Sequence, residues 1–98
     1  MKQVVWKFEL ENAGFAQDST VMLPPGAKIV DFGYQEHPMS RQRGWFMWAV
    51  VDPDVATEKR RFVVLSTGAT WEGRDLDHVM TKKEADGFVW HLLEWRRP

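Results

Sequence analysis

Two stretches of this chain carry residue types that could hold an anion. Arg41-Gln42-Arg43-Gly44-Trp45 sets two guanidinium groups beside an indole. Guanidinium forks match phosphate oxygens, and an aromatic face suits a base. Ser66-Thr67-Gly68-Ala69-Thr70-Trp71, followed by Arg74, offers hydroxyls, a second indole and a glycine-bearing backbone. Backbone N–H groups in such a loop can cradle an anion. The chemistry this suggests is a nucleotide-sized site. Arg41, Arg43 and Arg74 would meet phosphate, Trp45 and Trp71 would stack on a base, and Thr67 and Thr70 would hydrogen-bond. His91, within Val89-Trp90-His91-Leu92-Leu93, joins the candidates for ligand contact. A histidine among apolar strand residues is more often a core or edge residue with backbone partners. The plainer reading of both stretches is two surface loops whose aromatics cover core edges.

Patterns for catalysis are weaker. There is no P-loop, dinucleotide glycine fingerprint, H-E-x-x-H or nucleophile elbow. Asp75-Leu76-Asp77-His78 would place two carboxylates on one face of an extended segment with a histidine beside them. Hard-metal or acid–base chemistry could use that set, although a solvated strand entrance explains it more simply. His37, His78 and His91 have no metal-ligand spacing, and Ser19, Ser40 and Ser66 have no spacing that pairs them with a base. The chain has no cysteine, so it has neither a disulfide framework nor a thiolate metal site. The expectation is a non-enzymatic binding protein with no catalytic residues, no metal and no cofactor.

Composition bounds the partners. Of 98 residues, 44% are hydrophobic and 28% charged, the balance of one globular domain spanning residues 1–98. The formal net charge is −1. A dedicated nucleic-acid binder would carry a basic excess, so such a partner is not expected. The longest apolar run, Trp45 to Val51, is too short to span a bilayer, so no membrane partner is expected. Met1-Lys2-Gln3 leads into a strand pattern rather than a signal peptide, which predicts a cytoplasmic location. Six tryptophans are many for so small a core. About half are expected to stay partly exposed, where aromatics serve interfaces and ligands.

The elements that must position these residues read as strands. Val4 to Leu10 has the period of two of a half-buried strand, which Asn12-Ala13-Gly14 ends. Thr20 to Leu23 is a second, stopped by Pro24-Pro25-Gly26. Lys28 to Tyr34 is a third, with Gly33 a candidate bulge, and His37 to Arg43 is a loop. Trp45 to Asp52 is nearly continuously apolar, which predicts cover on both faces, from the fold or from another subunit. Asp52-Pro53-Asp54 terminates it, and Val55 to Lys59 could form one helical turn. Arg61 to Ser66 is a fifth strand. Leu76 to Thr81 and Phe88 to Trp95 form a final hairpin around Asp86-Gly87. A helix from Lys82 to Trp95 competes, but Gly87 and Phe88-Val89-Trp90 disfavour it. Lys82-Lys83 reads as edge protection, and Glu58-Lys59-Arg60-Arg61 and Arg96-Arg97 as solvated charge. The fold class is all-β, with about seven short, mostly antiparallel strands in a small sandwich, a partly open barrel or a curved meander.

Pro25-Gly26-Ala27-Lys28-Ile29, Trp48-Ala49-Val50-Val51-Asp52-Pro53, Thr67-Gly68 and Val89-Trp90-His91-Leu92, in this order, resemble a family of small uncharacterised phage and prophage proteins. The resemblance covers most of the chain. That family has no assigned activity or catalytic residues, so none transfers. The stretch from Gln35 to Gly44, which holds Arg41 and Arg43, is longer here than in its pattern. The resemblance implies a context, the cytoplasm of a host bacterium, where small phage proteins bind host components. One class sequesters nucleotide-derived immune signals as homo-oligomers with pockets between subunits. The expected function is sequestration of a small anionic ligand by a homo-oligomer. The alternatives are a protein-binding module for virion assembly or host inhibition, and a nucleotide- or carbohydrate-processing enzyme using Asp75, Asp77, His78 or His91.

Overall fold

The computed structural model describes residues 2–11 and 16–96. These contain strands β1 (Val4–Leu10), β2 (Ser19–Leu23), β3 (Lys28–Glu36), β4 (Arg43–Val51), β5 (Glu58–Ser66), β6 (Leu76–Lys83) and β7 (Val89–Trp95), with no helix among them. All pairings are antiparallel, in sheets of order β1-β4-β3 and β2-β5-β7-β6. The architecture is a small all-β sandwich; the strands do not close into a barrel.

Turn chemistry sets several boundaries. The Ala27 N–H donates to the Pro24 carbonyl at 3.1 Å, and Gly26 has φ +81°, which glycine adopts without Cβ strain. The Asp54 N–H donates to Asp52 Oδ1 at 3.0 Å, an Asx turn that ends β4. Gly87 sits at φ +92° between β6 and β7 as the hairpin reading requires, although β7 begins at Val89 and leaves Phe88 in the connection. Three expectations need correction. Residues 55–57 form a bend and an extended link rather than a helical turn, and Lys59 already pairs with Met22 in β5. Gly33 pairs regularly with Phe46, and the irregularity in β3 falls instead at Val30, between Ile29 and Asp31. His37 to Arg43 is not all loop, because Arg43 already pairs with Glu36 as the first residue of β4. The stop at Asn12-Ala13-Gly14 lies outside the described residues.

Alternation places Trp45, Met47, Ala49 and Val51 of β4 on the face that meets Phe62, Val64 and Leu92 of the other sheet. Phe32, Leu10, Val21 and Leu23 complete this core. The double-sided cover expected for β4 is partial. Phe46, on its solvent side, is 4% exposed, with Lys7 Nζ 4.3 Å from its ring centroid, whereas Trp48 and Val50 stay half-buried.

Two ion pairs fix elements in place, one within the second sheet and one across the sandwich. Arg60 of β5 donates from Nε and Nη2 to both oxygens of Glu94 on β7, at 2.6 and 2.7 Å. Its Nη1 donates to the Ala27 carbonyl at the start of β3, at 3.1 Å. The guanidinium thus joins two strands of one sheet to the other sheet's first turn, and it is buried. The hydrogen bonds to the Glu94 carboxylate raise the Arg60 pKa against the opposing effect of burial. Lys82 Nζ lies 3.0 Å from each oxygen of Asp31, closing the side where β6 meets β3. Lys82 therefore acts across the sheets, where the sequence suggests simple edge protection.

Removing one partner of a buried pair leaves an uncompensated charge, at a cost of about 3–5 kcal/mol. Glu94→Ala is expected to lower the unfolding free energy by about that amount in urea titrations. The double variant Arg60→Leu/Glu94→Leu is expected to lose less than Glu94→Ala alone, because it strands no charge. A Glu94→Ala loss under about 1 kcal/mol would show that the pair adds little to the stability of the fold.

Candidate functional site

β5 and β6 both run antiparallel to β7, which lies between them, so they are parallel to each other. Ser66, the last residue of β5, pairs with Trp90, and Leu76, the first of β6, pairs with Trp95. Residues 67–75 must therefore travel back along β7, roughly 17 Å at ordinary strand rise. The first sheet occupies one face of this sheet, so the connection crosses the other. That outer face carries a second cluster, Val63, Leu65, Leu76 and Leu93, each at most 7% exposed, with Trp95 packed against it.

Two glycine turns shape the connection. The Ala69 N–H donates to the Ser66 carbonyl at 3.1 Å around Gly68, at φ +92°. The Arg74 N–H donates to the Trp71 carbonyl at 3.0 Å around Gly73, at φ +77°. Both φ values lie where L side chains are strained, which explains glycine at these two positions. Residues 69–74 curl around an open concavity of about 420 Å³, within the range of small-ligand sites. Its lining includes Thr70, Trp71, Glu72 and Arg74. Trp71 is 43% exposed. The Arg74 guanidinium donates to the carbonyls of Ala16 at 3.3 Å and Thr70 at 3.2 Å. These bonds fix its plane and use two of its five N–H donors.

Thr67 and His91 lie at the β5 end of the connection, on the same outer face. Thr67 Oγ1 is 2.8 Å from His91 Nε2, His91 Nδ1 is 2.9 Å from Thr81 Oγ1, and Thr81 Oγ1 is 2.8 Å from His78 Nε2. One proton assignment satisfies the whole chain with both imidazoles neutral. His91 donates to Thr67, Thr81 donates to His91, and His78 donates to Thr81, while Thr67 donates to the Val89 carbonyl at 3.4 Å. Among the described residues no carboxylate joins this chain of contacts, so His91 lacks the acidic partner that a nucleophilic triad uses.

The other candidates lie elsewhere. Arg41 and Arg43 are exposed around the β3–β4 hairpin of the first sheet, which the outer face of the second sheet points away from. His37 organises this hairpin: its Nδ1 accepts from the Met39 and Ser40 N–H groups at 3.1 and 3.3 Å, and Arg41 sits at φ +62°. Trp45 is not on a loop rim. It is 4% exposed, stacked on Phe32 at 5.6 Å and edge-on to Trp90 at 5.1 Å, so its ring cannot stack on a base. Its parity in β4 matches Met47, which decides the matter. Of the tryptophans Trp45 alone is buried and Trp71 alone is exposed; Trp6, Trp48, Trp90 and Trp95 are half-buried.

Around Trp45 the structure builds a surface that sequence reasoning missed. Tyr34 lies 5.4 Å from Trp45 and Phe88 lies 6.5 Å from Trp90, while Arg43 covers the Tyr34 ring at 5.1 Å. Tyr34, Phe88 and the hairpin residue Met39 are 43%, 61% and 87% exposed. A hairpin turn ending at Gly87 and strand alternation through Tyr34 were the available signals. The pairing of β3 with β4 and the approach of β7 were not.

The acidic cluster is neutralised. Arg96 contacts Asp75 at 2.9 Å and Asp77 at 2.6 Å. The hydrogen bond from Arg96 holds the Asp77 carboxyl below its ordinary pKa. Among the described residues no group of three or more His, Cys, Asp or Glu side chains is arranged to hold a metal ion. None forms a helix long and apolar enough to cross a membrane.

Two outcomes follow from these placements. Trp45→Ala is expected to cost about 3–5 kcal/mol of stability in chemical denaturation, and Trp71→Ala less than about 0.5 kcal/mol. Equal losses would contradict the placement of the two rings. A carboxyl whose folded pKa is depressed stabilises the fold above its ordinary pKa, about pH 4, and that contribution disappears as pH falls through the lower folded value. Side-chain carboxyl NMR should therefore show Asp77 titrating below the usual aspartate range and moving up in Arg96→Ala. An unchanged midpoint in that variant would mean that Arg96 is not the cause.

No curated protein matches the chain, and no solved structure matches it. A family model described as a domain of unknown function, DUF7352, matches residues 1–98. The chain therefore belongs to the DUF7352 family.

Proposed function

We propose that this chain is a non-enzymatic binding protein for a small anionic ligand of the nucleotide class, received on the connection between β5 and β6. The observation that carries the reading is that Thr70, Trp71 and Arg74 line one open concavity of ligand size. Trp71 offers a stacking face. Arg74, held by two carbonyls, presents its remaining donors to phosphate with little ordering left to lose. Glu72 accepts from an amino or hydroxyl group, which selects a ligand carrying both an anion and N–H or O–H donors. Thr67 and His91 flank the connection where β5 ends. Arg41 and Arg43, on the other sheet, are not in this site. The resemblance to phage and prophage proteins supports a role in the bacterial cytoplasm, sequestering a nucleotide-derived immune signal of the host.

A second reading, a protein-binding module, is favoured by the other surface. Exposed Tyr34, Met39 and Phe88 beside Arg43 have the aromatic, methionine and arginine composition of interface hot spots. Capture of a host or phage protein that is lost in Phe88→Ser and kept in Trp71→Ala would support it.

Calorimetric titration with linear and cyclic nucleotides tests the first reading. One member of the panel is expected to bind, with Trp71→Ala and Arg74→Gln each weakening it about tenfold or more, since stacking on an aromatic ring contributes about 1–3 kcal/mol per base. No binding across the panel, or binding indifferent to both substitutions, would overturn it.

A further inference from the structure

Among the described residues the sandwich has four edge strands, and three carry devices against pairing with another chain. β3 is interrupted at Val30 and β6 at Val79, and Lys82 and Asp31 bridge the side where these strands meet. β2 has five residues. Bulges, charges set across the sheets and short length all blunt an edge. β1 has no bulge, spans seven residues and sets no charge across to the other sheet; its solvent-facing charges, Lys7 and Glu9, are of opposite sign. Its register with β4 runs unbroken from Val4 to Leu10, and it contains no proline or glycine. Among the described residues its far side has no partner strand. The apolar residues Trp6, Phe8 and Leu10 face the core, and Lys7 and Glu9 face solvent.

We infer that β1 pairs with β1 of a second copy of this chain, antiparallel and two-fold symmetric about Phe8, making a continuous six-stranded sheet of order β3-β4-β1-β1-β4-β3. Charge complementarity selects both the occupant and the register. A two-fold axis perpendicular to the sheet must pass through a residue, because any other register sets a core-facing side chain opposite a solvent-facing one. An axis at Lys7 or at Glu9 sets like charges directly opposite, and one at Trp6 sets Lys7 opposite Val5 and Glu9 opposite Gln3, which pairs no opposite charges. An axis at Phe8 sets Lys7 opposite Glu9 of the second copy twice, Trp6 opposite Leu10 twice, and Phe8 opposite its own image. In the single chain the Lys7 ammonium lies over the faces of Phe46, at 4.3 Å, and Trp48, at 5.7 Å, and has no ion pair among the described residues. Glu9 is exposed and has no cationic partner among the described residues. The dimer supplies Glu9 with that partner and occupies the unpaired backbone groups of β1. The inference is independent of what binds on the connection between β5 and β6.

Charge reversal measured by sedimentation velocity tests it. The wild-type chain is expected to dimerise. Lys7→Glu and Glu9→Lys each convert two attractive cross-strand pairs into two repulsive ones, which should weaken the dimer about tenfold or more. The double variant Lys7→Glu/Glu9→Lys restores opposite charges at both positions and should recover most of the wild-type affinity. Thermal unfolding of each variant separates loss of pairing from loss of fold. A wild-type monomer at all accessible concentrations, a dimer that both single variants leave intact, or a double variant no better than the singles would each overturn the inference.

Discussion

β5 and β6 point the same way with β7 between them, and that topology dictates most of what is distinctive in this sandwich. Neighbours in an antiparallel sheet can be joined by a tight turn, but parallel strands need a connection that returns along the strand length. Here the return crosses the outer face of the second sheet, and the sequence meets the requirement with two glycine turns, at Gly68 and Gly73, joined by the short link Ala69-Thr70-Trp71-Glu72. Beneath it lie Val63, Leu65, Leu76 and Leu93, which a two-layer sandwich would otherwise expose. Cover for this second core and a concave surface lined by Thr70, Trp71 and Arg74 are consequences of one chain path. Arg74 links the two roles. Its bond to the Ala16 carbonyl ties the connection to the segment leading into β2, and the same bond holds the guanidinium in place.

The sheets themselves are held at specific points. Apolar packing between them is non-directional, so Phe62, Val64 and Leu92 against Trp45, Met47 and Ala49 favour burial without fixing alignment. Arg60 adds direction. Its bidentate contact with Glu94 and its third bond to the Ala27 carbonyl are geometrically demanding, and they place the start of β3 relative to β5 and β7. Lys82 and Asp31 do the same at the opposite side with weaker, half-exposed charges. Asp18 works on the outer face. It accepts from the Trp95 indole N–H at 2.8 Å and pairs with Arg61 at 3.5 Å, while the Arg61 guanidinium covers the same ring at 4.3 Å.

Much of this was legible in the residues. Alternation from Val4 to Leu10 and the apolar run from Trp45 fixed two strands, and Pro24-Pro25-Gly26 and Asp86-Gly87 marked turns that form as their chemistry requires. Local signals fail where pairing decides. Val55 to Lys59 has no helix-breaking residue, yet pairing of Lys59 with Met22 draws it into a strand. Gly33 looks like a bulge because it lacks a side chain, but the irregularity falls at Val30. The role of Arg60 was hidden inside a charge run, because nothing local shows that Glu94 comes to lie beside it. The neighbours Arg43 and Gly44 suggest a Trp45 ring open to a base, whereas its parity with Met47 points inward. Of the candidate contacts, Thr70, Trp71 and Arg74 share one concavity because they are near in sequence. Their separation from Arg41 and Arg43 is set by the sandwich, which no local pattern encodes.

The most direct test of the connection as a ligand site is a two-dimensional amide NMR titration of the labelled chain with nucleotides. A ligand seated there shifts the amides of Thr70, Trp71, Glu72, Gly73 and Arg74, with Thr67 and His91 responding beside them, and leaves the β3–β4 hairpin unmoved. An unshifted spectrum at saturating concentrations, or shifts confined to Tyr34, Met39 and Phe88, would contradict it and assign recognition to the aromatic end of the sandwich.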